Sequence, residues 1–217
     1  MVTEIKVFVA DDHQIFRQGL LKLLETEKSI TIVGESGDGL ESLRMIKELN
    51  PEIAILDISM PNMNGLEIVK QIKKNDLPVE FIILTMYADE EYFNEALDRG
   101  VKGYLLKDNA IADLLICVKY VAQGKYYVSP LISEYLLNRE DSIKKLRCEY
   151  PGLDGLTATE KRILKLIAEN KTSKEIAAEL YISHRTVQNH RTHICEKLGL
   201  KGYNKLLQFA LEHKSYL

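Results

Sequence analysis

Five short apolar runs, separated by longer amphipathic segments, are the feature that most constrains the fold of this chain. The runs are Ile5–Ala10, Ile30–Gly34, Ile53–Ile58, Phe81–Met86 and Gly103–Leu106. They are rich in Ile, Val and Leu and mostly lack polar alternation, which is typical of strands that are buried on both faces of a parallel sheet.

The segments between these runs have helical periodicity. The predicted helices are Gln14–Glu27, Leu40–Leu49, Leu66–Lys74, Glu90–Arg99 and Ile111–Gln123. Glycines at positions 100 and 124 stand where helices commonly end. Strands and helices that alternate in this way predict an α/β fold with a doubly wound parallel sheet.

The rest of the chain has a different pattern. Residues 126–152 are less regular and are predicted to be a linker with some helix at Leu131–Leu137, whereas the pattern from Leu156 onward is helical only. We therefore predict one domain at residues 1–125 and an all-α domain at residues 153–217. The first 150 residues carry a net charge of −7 and the remainder +4, which indicates different partners and allows the second half to meet nucleic acid.

Several classes of protein are disfavoured by the sequence. No apolar run approaches the roughly 20 residues that span a bilayer, and the first residues lack the apolar core of a secretory signal. The three cysteines are far apart and form no C-x-x-C motif, which indicates reduced thiols without a metal role. We expect a cytoplasmic protein without a membrane partner.

Polar residues stand at the ends of four of the apolar runs. Asp11 and Asp12 follow the first run, Asp57 lies near the end of the third, Thr85 near the end of the fourth, and Lys107 follows the fifth. Because the carboxyl ends of parallel strands form one edge of a sheet, we expect these side chains to converge.

Such a site could perform phosphoryl transfer. Crowded carboxylates repel one another unless a cation lies among them, and Mg²⁺ prefers such oxygen ligands. A carboxylate can also accept a phosphoryl group, and Asp57, which stands alone before a turn-prone stretch, is the candidate acceptor. Each residue taken singly has an ordinary alternative: Asp12 as a helix cap, Thr85 as a polar strand end, and Lys107 as a solvated lysine.

These motifs together resemble the receiver domain of bacterial two-component response regulators over about residues 4–124. The resemblance rests on Val7–His13, Leu56–Gly65, Leu84-Thr85 and Gly103–Lys107. It implies a (βα)5 fold with strand order 2-1-3-4-5 and a phospho-acceptor at Asp57. It also implies roles for six further positions. Asp11, Asp12 and the Ser59 carbonyl would bind Mg²⁺ together with Asp57. Thr85 and Lys107 would bind the phosphoryl group, and Tyr104 would be an aromatic switch. Aspartate at 108 follows Lys107 where many receivers have proline.

Two capping boxes, Thr157–Glu160 and Thr172–Glu175, each precede an apolar helical pattern and predict two helix starts. A turn at Tyr181–Ser183 leads to a third helix that stops at Gly199, and a fourth helix is predicted at about Asn204–His213. Two short helices joined by a tight turn predict a helix-turn-helix.

The third helix has two distinct faces. Val187, Ile194 and Leu198 are expected to pack inward. The opposite face carries Arg185, Gln188, Asn189 and Thr192, and amide side chains near the start of a recognition helix can read base edges. An ordinary solvated face is the alternative for such a helix taken alone. Candidate phosphate contacts are Lys171, Lys174, Arg185 and Arg191.

This segment resembles a LuxR-type DNA-binding domain over about residues 153–217. The matching stretches are Leu156–Glu160, Lys174–Ala177 and Ser183–Arg191, and Gln188 stands where the family usually has lysine. The resemblance implies that the last helix forms much of a dimer interface on DNA. Leu206, Leu207 and Ala210 are the candidates for that interface, although some of them can instead serve the core.

Together these features predict a transcriptional regulator and not an enzyme. A histidine kinase would phosphorylate Asp57 and thereby control dimerisation and binding to double-stranded DNA, with a homodimer formed by the phosphorylated or DNA-bound protein. Two alternatives stay open. One is an aspartyl-phosphate phosphatase or phosphotransferase, and the other is a regulator that binds DNA without phosphorylation.

Overall fold

A computed structural model of the protein describes residues 4–86, 88–201 and 204–217. The chain divides into two units, Met1–Tyr135 and Leu136–Leu217. The first contains the parallel sheet that the apolar runs predict. The second contains only helices and turns among its described residues.

Among the described residues the sheet has six strands in the order β2-β1-β3-β4-β5-β6, and every neighbouring pair is parallel. The strands are β1 Ile5–Ala10, β2 Ile30–Ser36, β3 Ile53–Asp57, β4 Glu80–Thr85, β5 Gly103–Leu106 and β6 Tyr127–Val128. The predicted order of the first five strands is confirmed. The sixth strand lies within the segment predicted to be a linker, and two residues are too few to show a strand period in the sequence.

Helices connect the strands of the first unit in the five places that the sequence predicts, although α5 begins earlier than predicted. They are α1 Gln14–Glu25, α2 Gly39–Leu49, α3 Gly65–Lys74, α4 Glu90–Asp98 and α5 Lys107–Ala122. Helix α1 packs against α5 and α2 against α3. Helix α5 begins at Lys107, before the predicted start at Ile111. The sequence does not reveal the earlier start, because the first residues of the helix are mostly polar and show no apolar period.

In the strands of the first unit, residues that point to either face of the sheet are buried. Val7 and Val9 belong to a core cluster with Leu20 and Leu24 of α1, while Phe8 between them is equally inaccessible. This pattern explains why the strands lack polar alternation, since both faces of the sheet are covered.

Helix α6, Ser133–Glu149, follows a short 3-10 turn and runs from the first unit into the second. It is much longer than the helical stretch predicted at Leu131–Leu137. Most of its positions are polar and only Leu146 is fully buried, so its sequence has no continuous apolar stripe from which the length could be read.

The second unit continues with helices that agree with the predicted pattern. They are α7 Ala158–Ala168, α8 Ser173–Leu180, α9 His184–Leu198 and α10 Lys205–Glu212. Their apolar faces meet in one cluster that includes Ile163, Ile176, Val187, Ile194 and Phe209. Helices α8 and α9, joined by a short turn, form the predicted helix-turn-helix.

Both predicted capping boxes are present, but only one of them is buried. The Glu160 carboxylate accepts hydrogen bonds from the Thr157 N–H at 2.7 Å and from Lys197 Nζ at 2.6 Å. Burial alone would raise the pKa of Glu160, but the bonds from Lys197 and Thr157 outweigh burial and lower that pKa to about 2. The equivalent Glu175 is exposed and bonds the Thr172 N–H at 2.8 Å.

We expect Glu160→Gln to lower the free energy of unfolding of the second unit by about 2 kcal/mol at pH 7, because charge-assisted hydrogen bonds are lost. The folded-state pKa of Glu160 lies below its ordinary value of 4.5. The contribution of the carboxylate is therefore complete above about pH 4.5 and is lost as the pH falls toward 2. Urea unfolding of the full chain, followed through NMR signals of the second unit, measures the difference.

The matched control is Glu175→Gln, which alters the exposed capping box and is expected to cost less. The gap between wild type and Glu160→Gln should close as the pH approaches 2. A gap that stayed constant from pH 7 to pH 2 would show that ionised Glu160 does not stabilise the unit.

Candidate functional site

The carboxyl edge of the sheet brings the predicted polar residues of the first unit together. Asp11 follows β1, Asp57 ends β3, Thr85 ends β4, and Lys107 follows β5 as the first residue of α5. These four residues are all buried. Their convergence follows from strand register, since β3 and β4 are aligned at Asp57 and Leu84, and β4 and β5 at Thr85 and Leu106.

Lys107 joins two of the carboxylates. Its Nζ atom lies 2.7 Å from Asp11 Oδ2 and 2.8 Å from Asp57 Oδ2. The three side chains are at most 4% exposed, so solvent screens these ion pairs very little. One ammonium group faces two buried carboxylates here, and the site keeps a negative charge that a further cation could neutralise.

Asp12 and His13 lie at the open side of this pair. The Asp12 side chain is one-third exposed, and its Oδ1 atom lies 3.0 Å from His13 Nδ1. Single ligand atoms of Asp11, Asp12, His13 and Asp57 all lie within 4.8 Å of one another. His13 is also the N-cap residue of α1, without a side-chain cap hydrogen bond. The three carboxylates fit a hard divalent cation such as Mg²⁺.

The Asp57 carboxyl is held in an environment that disfavours its charge. Burial is the largest cause and raises its pKa, and the nearby Asp11 charge acts in the same direction. The Lys107 ammonium and the Ser59 N–H lower the pKa but do not compensate fully. A buried carboxylate of this kind gains stability from any additional positive charge.

The loop after β3 is packed tightly on two sides. A Cβ atom on Gly65 would lie 2.2 Å from the Asp57 carbonyl oxygen, and a Cβ atom on Gly39 would lie 1.8 Å from the Met63 carbonyl oxygen. The Gly39 N–H also donates to the Pro61 carbonyl at 3.0 Å. The stretch that ends at Gly39 is therefore a loop and helix start, and it supports the loop beside Asp57.

Two supporting residues could not be identified from the sequence. The Arg17 guanidinium donates to the Asp11 carbonyl oxygen and pairs with Glu35 at 2.7 Å. The Lys107 ammonium lies 5.1 Å from the centre of the Phe16 ring. Both partners lie on the first turn of α1, and only the packing of that helix against the sheet edge shows their role.

Tyr104 lies on β5, and β4 separates this strand from β3, which ends at Asp57. Its ring is buried and meets Phe93 edge-on, with 5.2 Å between ring centres. Burial raises the pKa of Tyr104, so it remains a neutral phenol. Within the part of the chain that the structure describes, its buried hydroxyl has no hydrogen-bond partner, which is costly and favours a second position for the ring.

The exposed and buried faces of α9 agree with the prediction. Val187, Ile194 and Leu198 are buried, and the opposite face exposes Arg185, Gln188, Asn189 and Thr192. The Ser183 hydroxyl accepts from the Thr186 N–H at 3.0 Å and caps the helix. Gln188 donates to the Ser173 hydroxyl at 3.2 Å, which joins the start of α8 to the middle of this face.

The candidate phosphate contacts differ in their availability. Lys171 lies between Glu169, at 2.8 Å, and Glu179, at 2.7 Å, and these carboxylates raise its pKa. A phosphate contact from Lys171 would have to compete with both. Lys174 and Arg185 are exposed, and Arg191 is half-buried.

The candidate dimer residues of α10 lie in or against the core of the second unit. Leu206 and Ala210 are buried in the cluster of the second unit, and Leu207 packs against that cluster while half-buried. Leu211 of the same helix is 47% exposed. In this structure Leu206 and Ala210 therefore belong to the core of the unit together with Phe209, and the remaining side chains of α10 form its surface.

Comparisons with known proteins agree with both parts of the structure. Residues 7–119 match the response regulator receiver domain family, and residues 154–210 match the bacterial regulatory proteins of the luxR family. No described helix is both long and apolar enough to cross a membrane.

Similar proteins extend over nearly the whole chain. The oxygen regulatory protein NreC of Staphylococcus epidermidis is 34% identical over 97% of this chain and 98% of its own length. The transcriptional regulatory protein YhcZ of Bacillus subtilis is 35% identical over 96% of each chain. The structure of RcsB from Salmonella enterica serovar Typhimurium, bound to a promoter with the phosphomimetic BeF3−, has a TM-score of 0.59 and 28% identity. That likeness covers 95% of this chain and 97% of RcsB.

The acidic edge with its bridging lysine, the capped helix-turn-helix and these full-length likenesses lead to one identification. The chain belongs to the two-component response regulators that join a receiver domain to a LuxR-type helix-turn-helix.

Proposed function

We propose that a histidine kinase phosphorylates Asp57 and that this event controls binding of the α8–α9 helix-turn-helix to double-stranded DNA. The observation that carries the proposal is the buried Lys107 ammonium, which bridges Asp11 and Asp57 beside Asp12. The RcsB likeness supports the link to DNA, because RcsB has been observed on a promoter with a phosphomimetic. A regulator that acts on DNA is expected in the cytoplasm.

The chemistry proposed for the site is phosphoryl transfer from a phosphohistidine. An Asp57 carboxylate oxygen attacks phosphorus, the P–N bond breaks as the O–P bond forms, and the released imidazole takes a proton from solvent. Lys107 is close enough to Asp57 to follow the new phosphoryl oxygens, and the Thr85 hydroxyl at the neighbouring strand end is their second proposed partner. The Ser59 N–H donates a hydrogen bond to the Asp57 carboxylate and would help to orient it for attack.

The same side chains are proposed to hold Mg²⁺. Asp11, Asp12 and Asp57, with the Ser59 carbonyl, would be its protein ligands. When bound, the ion would supply positive charge to the phosphoryl oxygens. The raised pKa of Asp57 supports this assignment, since a buried carboxylate with too little neutralisation benefits from a cation.

On DNA, we propose that α9 enters the major groove. Gln188, Asn189 and Thr192 would reach base edges, with Arg185, Arg191, Lys171 and Lys174 on phosphates. Phosphorylation would favour a homodimer through α10, where Leu207 with Leu211 offers partly accessible apolar surface. Leu206 and Ala210 would support that helix from the core.

We expect Asp57→Asn to abolish phosphorylation by a small-molecule phosphodonor in the presence of Mg²⁺, because the nucleophilic carboxylate is lost. Intact-mass spectrometry should detect one phosphoryl group on the wild-type protein and none on the variant. The variant should unfold at or above the wild-type temperature, since the substitution removes a buried charge whose pKa is raised. The matched control, Asp76→Asn, changes an exposed acid of the same unit and should accept phosphate normally.

Equal phosphorylation of Asp57→Asn and wild type would refute the acceptor assignment. Continuous turnover of a phosphorylated metabolite by the wild-type protein would instead support the phosphatase or phosphotransferase alternative.

We expect Asn189→Ala to weaken binding to a duplex selected from random DNA by the phosphorylated wild type, by about 5- to 150-fold, because a bidentate amide contact to a base is lost. Fluorescence anisotropy with the selected duplex and a scrambled duplex measures both affinities. Binding to the scrambled duplex should hardly change. Asn75→Ala, an exposed asparagine of the first unit, serves as the control.

The role of phosphate is decided with the same selected duplex. Wild type should bind more tightly after treatment with BeF3−, and Asp57→Ala should not respond. Equal affinity of treated and untreated wild type would favour the alternative of a regulator that binds DNA without phosphorylation.

A further inference from the structure

The turn between α8 and α9 contains a residue with an unusual backbone conformation. Tyr181 caps α8 with φ 54° and ψ 40°, in the left-handed region. The other described non-glycine residues with positive φ are all asparagine or aspartate: Asn50, Asn62, Asp76, Asn170 and Asn204. Short polar side chains tolerate this region through local hydrogen bonds, whereas a bulky aromatic side chain is an outlier there. The turn itself would be more stable with glycine.

The core does not account for the tyrosine either. Its side chain is 94% exposed, whereas its neighbours Leu180 and Ile182 pack against the core of the second unit. An aromatic ring that is strained in its backbone and solvated in its side chain contributes little to folding. Backbone strain that folding does not repay points to a functional contact.

The surroundings of Tyr181 identify the partner. It stands two residues before Ser183, the N-cap of α9, and is exposed, as are Arg185 and Asn189 of that helix. The first turn of α9 contains no acidic residue, so the positive end of the helix dipole is not neutralised there. A phenol hydroxyl beside such a helix start is suited to donate to a phosphate oxygen.

We propose that the Tyr181 hydroxyl binds a DNA phosphate beside the recognition helix and sets the position of α9 on the duplex. The proposal rests on the function proposed above, in which α8 and α9 bind DNA. A phosphate contact positions a protein without reading sequence, so its loss should affect all duplexes alike.

Two full-length variants test this contact by separating its effect on stability from its effect on DNA affinity. Tyr181→Gly should raise the urea midpoint of the second unit, because glycine relieves the backbone strain, and should still weaken DNA binding. Tyr181→Phe keeps the ring and the strain, so its midpoint should equal that of wild type. Its affinity should fall by about 3- to 10-fold on both the selected and the scrambled duplex, as expected for one lost hydrogen bond. Tyr126→Phe, an exposed tyrosine of the first unit, is the control.

The outcomes separate this contact from the function on which it depends. Wild-type affinity of Tyr181→Phe, together with weakened binding by Asn189→Ala, would overturn the contact and leave DNA binding intact. A loss confined to the selected duplex would mean base reading and would also overturn it. If wild type bound no duplex after BeF3− treatment, the proposed function itself would fail.

A second, independent observation concerns the start of α6. Tyr135 donates a hydrogen bond from its hydroxyl to the Ala88 carbonyl at 3.1 Å, in the segment between β4 and α4. Its ring centre lies 6.0 Å from that of Phe93, and the Phe93 ring centre lies 5.2 Å from that of Tyr104. Three aromatic rings therefore connect the buried Tyr104 hydroxyl, which is unsatisfied among the described residues, to the helix that leads into the second unit.

We infer that Tyr135 is a positioning residue that reports the state of the receiver to α6. Because Phe93 contacts both tyrosines, a change in the position of the Tyr104 ring would alter the packing of Tyr135 against Phe93. The Ala88 carbonyl follows Thr85 by three residues, so movement at the strand end would act on the same hydrogen bond. This inference also rests on the proposed control by phosphorylation, and it predicts that activation loosens the first turn of α6.

Hydrogen exchange of α6 in the full chain, with and without BeF3−, provides the test. In wild type the amides near Tyr135 should exchange faster after BeF3− treatment. Tyr135→Phe, which removes only the hydroxyl, should exchange faster before treatment and respond less, while Tyr126→Phe should behave as wild type does. An unchanged α6 in a protein whose DNA affinity does respond to BeF3− would overturn this coupling without affecting the proposed function.

Discussion

The ion pairs that Lys107 makes with Asp11 and Asp57 are the interaction on which the rest of the site depends. Two carboxylates from different strands are buried at the sheet edge, where an unpaired charge would be very costly. Lys107 also stands at the positive end of the α5 dipole, an unfavourable place for a cation, and the carboxylates offset this. The arrangement remains incompletely neutralised, as the raised pKa of Asp57 shows. A further cation at this site would reduce the imbalance.

Support for these charges comes from backbone as much as from side chains. Gly39 and Gly65 allow the loop after β3 to approach α2 and the Asp57 carbonyl at distances that no Cβ atom would permit. Arg17 holds the Asp11 carbonyl from the opposite side. The loops that follow β1 and β3 are therefore both held in place beside Asp57.

In the second unit, a small apolar core supports α9, whose polar face is exposed to solvent. Helices α7 and α8 begin at capping boxes, and the buried Glu160 of the first box pairs with Lys197. This ties the start of α7 to the end of α9, so that the exposed residues of α9 are presented by a braced helix. Tyr181 is an exception in this unit, since it stabilises neither the turn nor the core.

Much of this protein could be predicted from local pattern. Apolar runs located the first five strands, and the capping boxes and apolar spacing located α7 to α9, because period and capping chemistry are written in neighbouring residues. Asp11, Asp57, Thr85 and Lys107 were recognisable because parallel strands must end at one edge. By contrast, the β6 strand, the length of α6, and the roles of Arg17, Phe16 and Tyr135 depend on contacts between residues far apart in the chain. Burial of Leu206 and Ala210, and competition for Lys171 by two glutamates, were likewise decided only when the helices packed. The sequence by itself determined which chemistry the chain carries, and the tertiary structure decided which side chains are free to use it, because burial and pairing are properties of the assembled core.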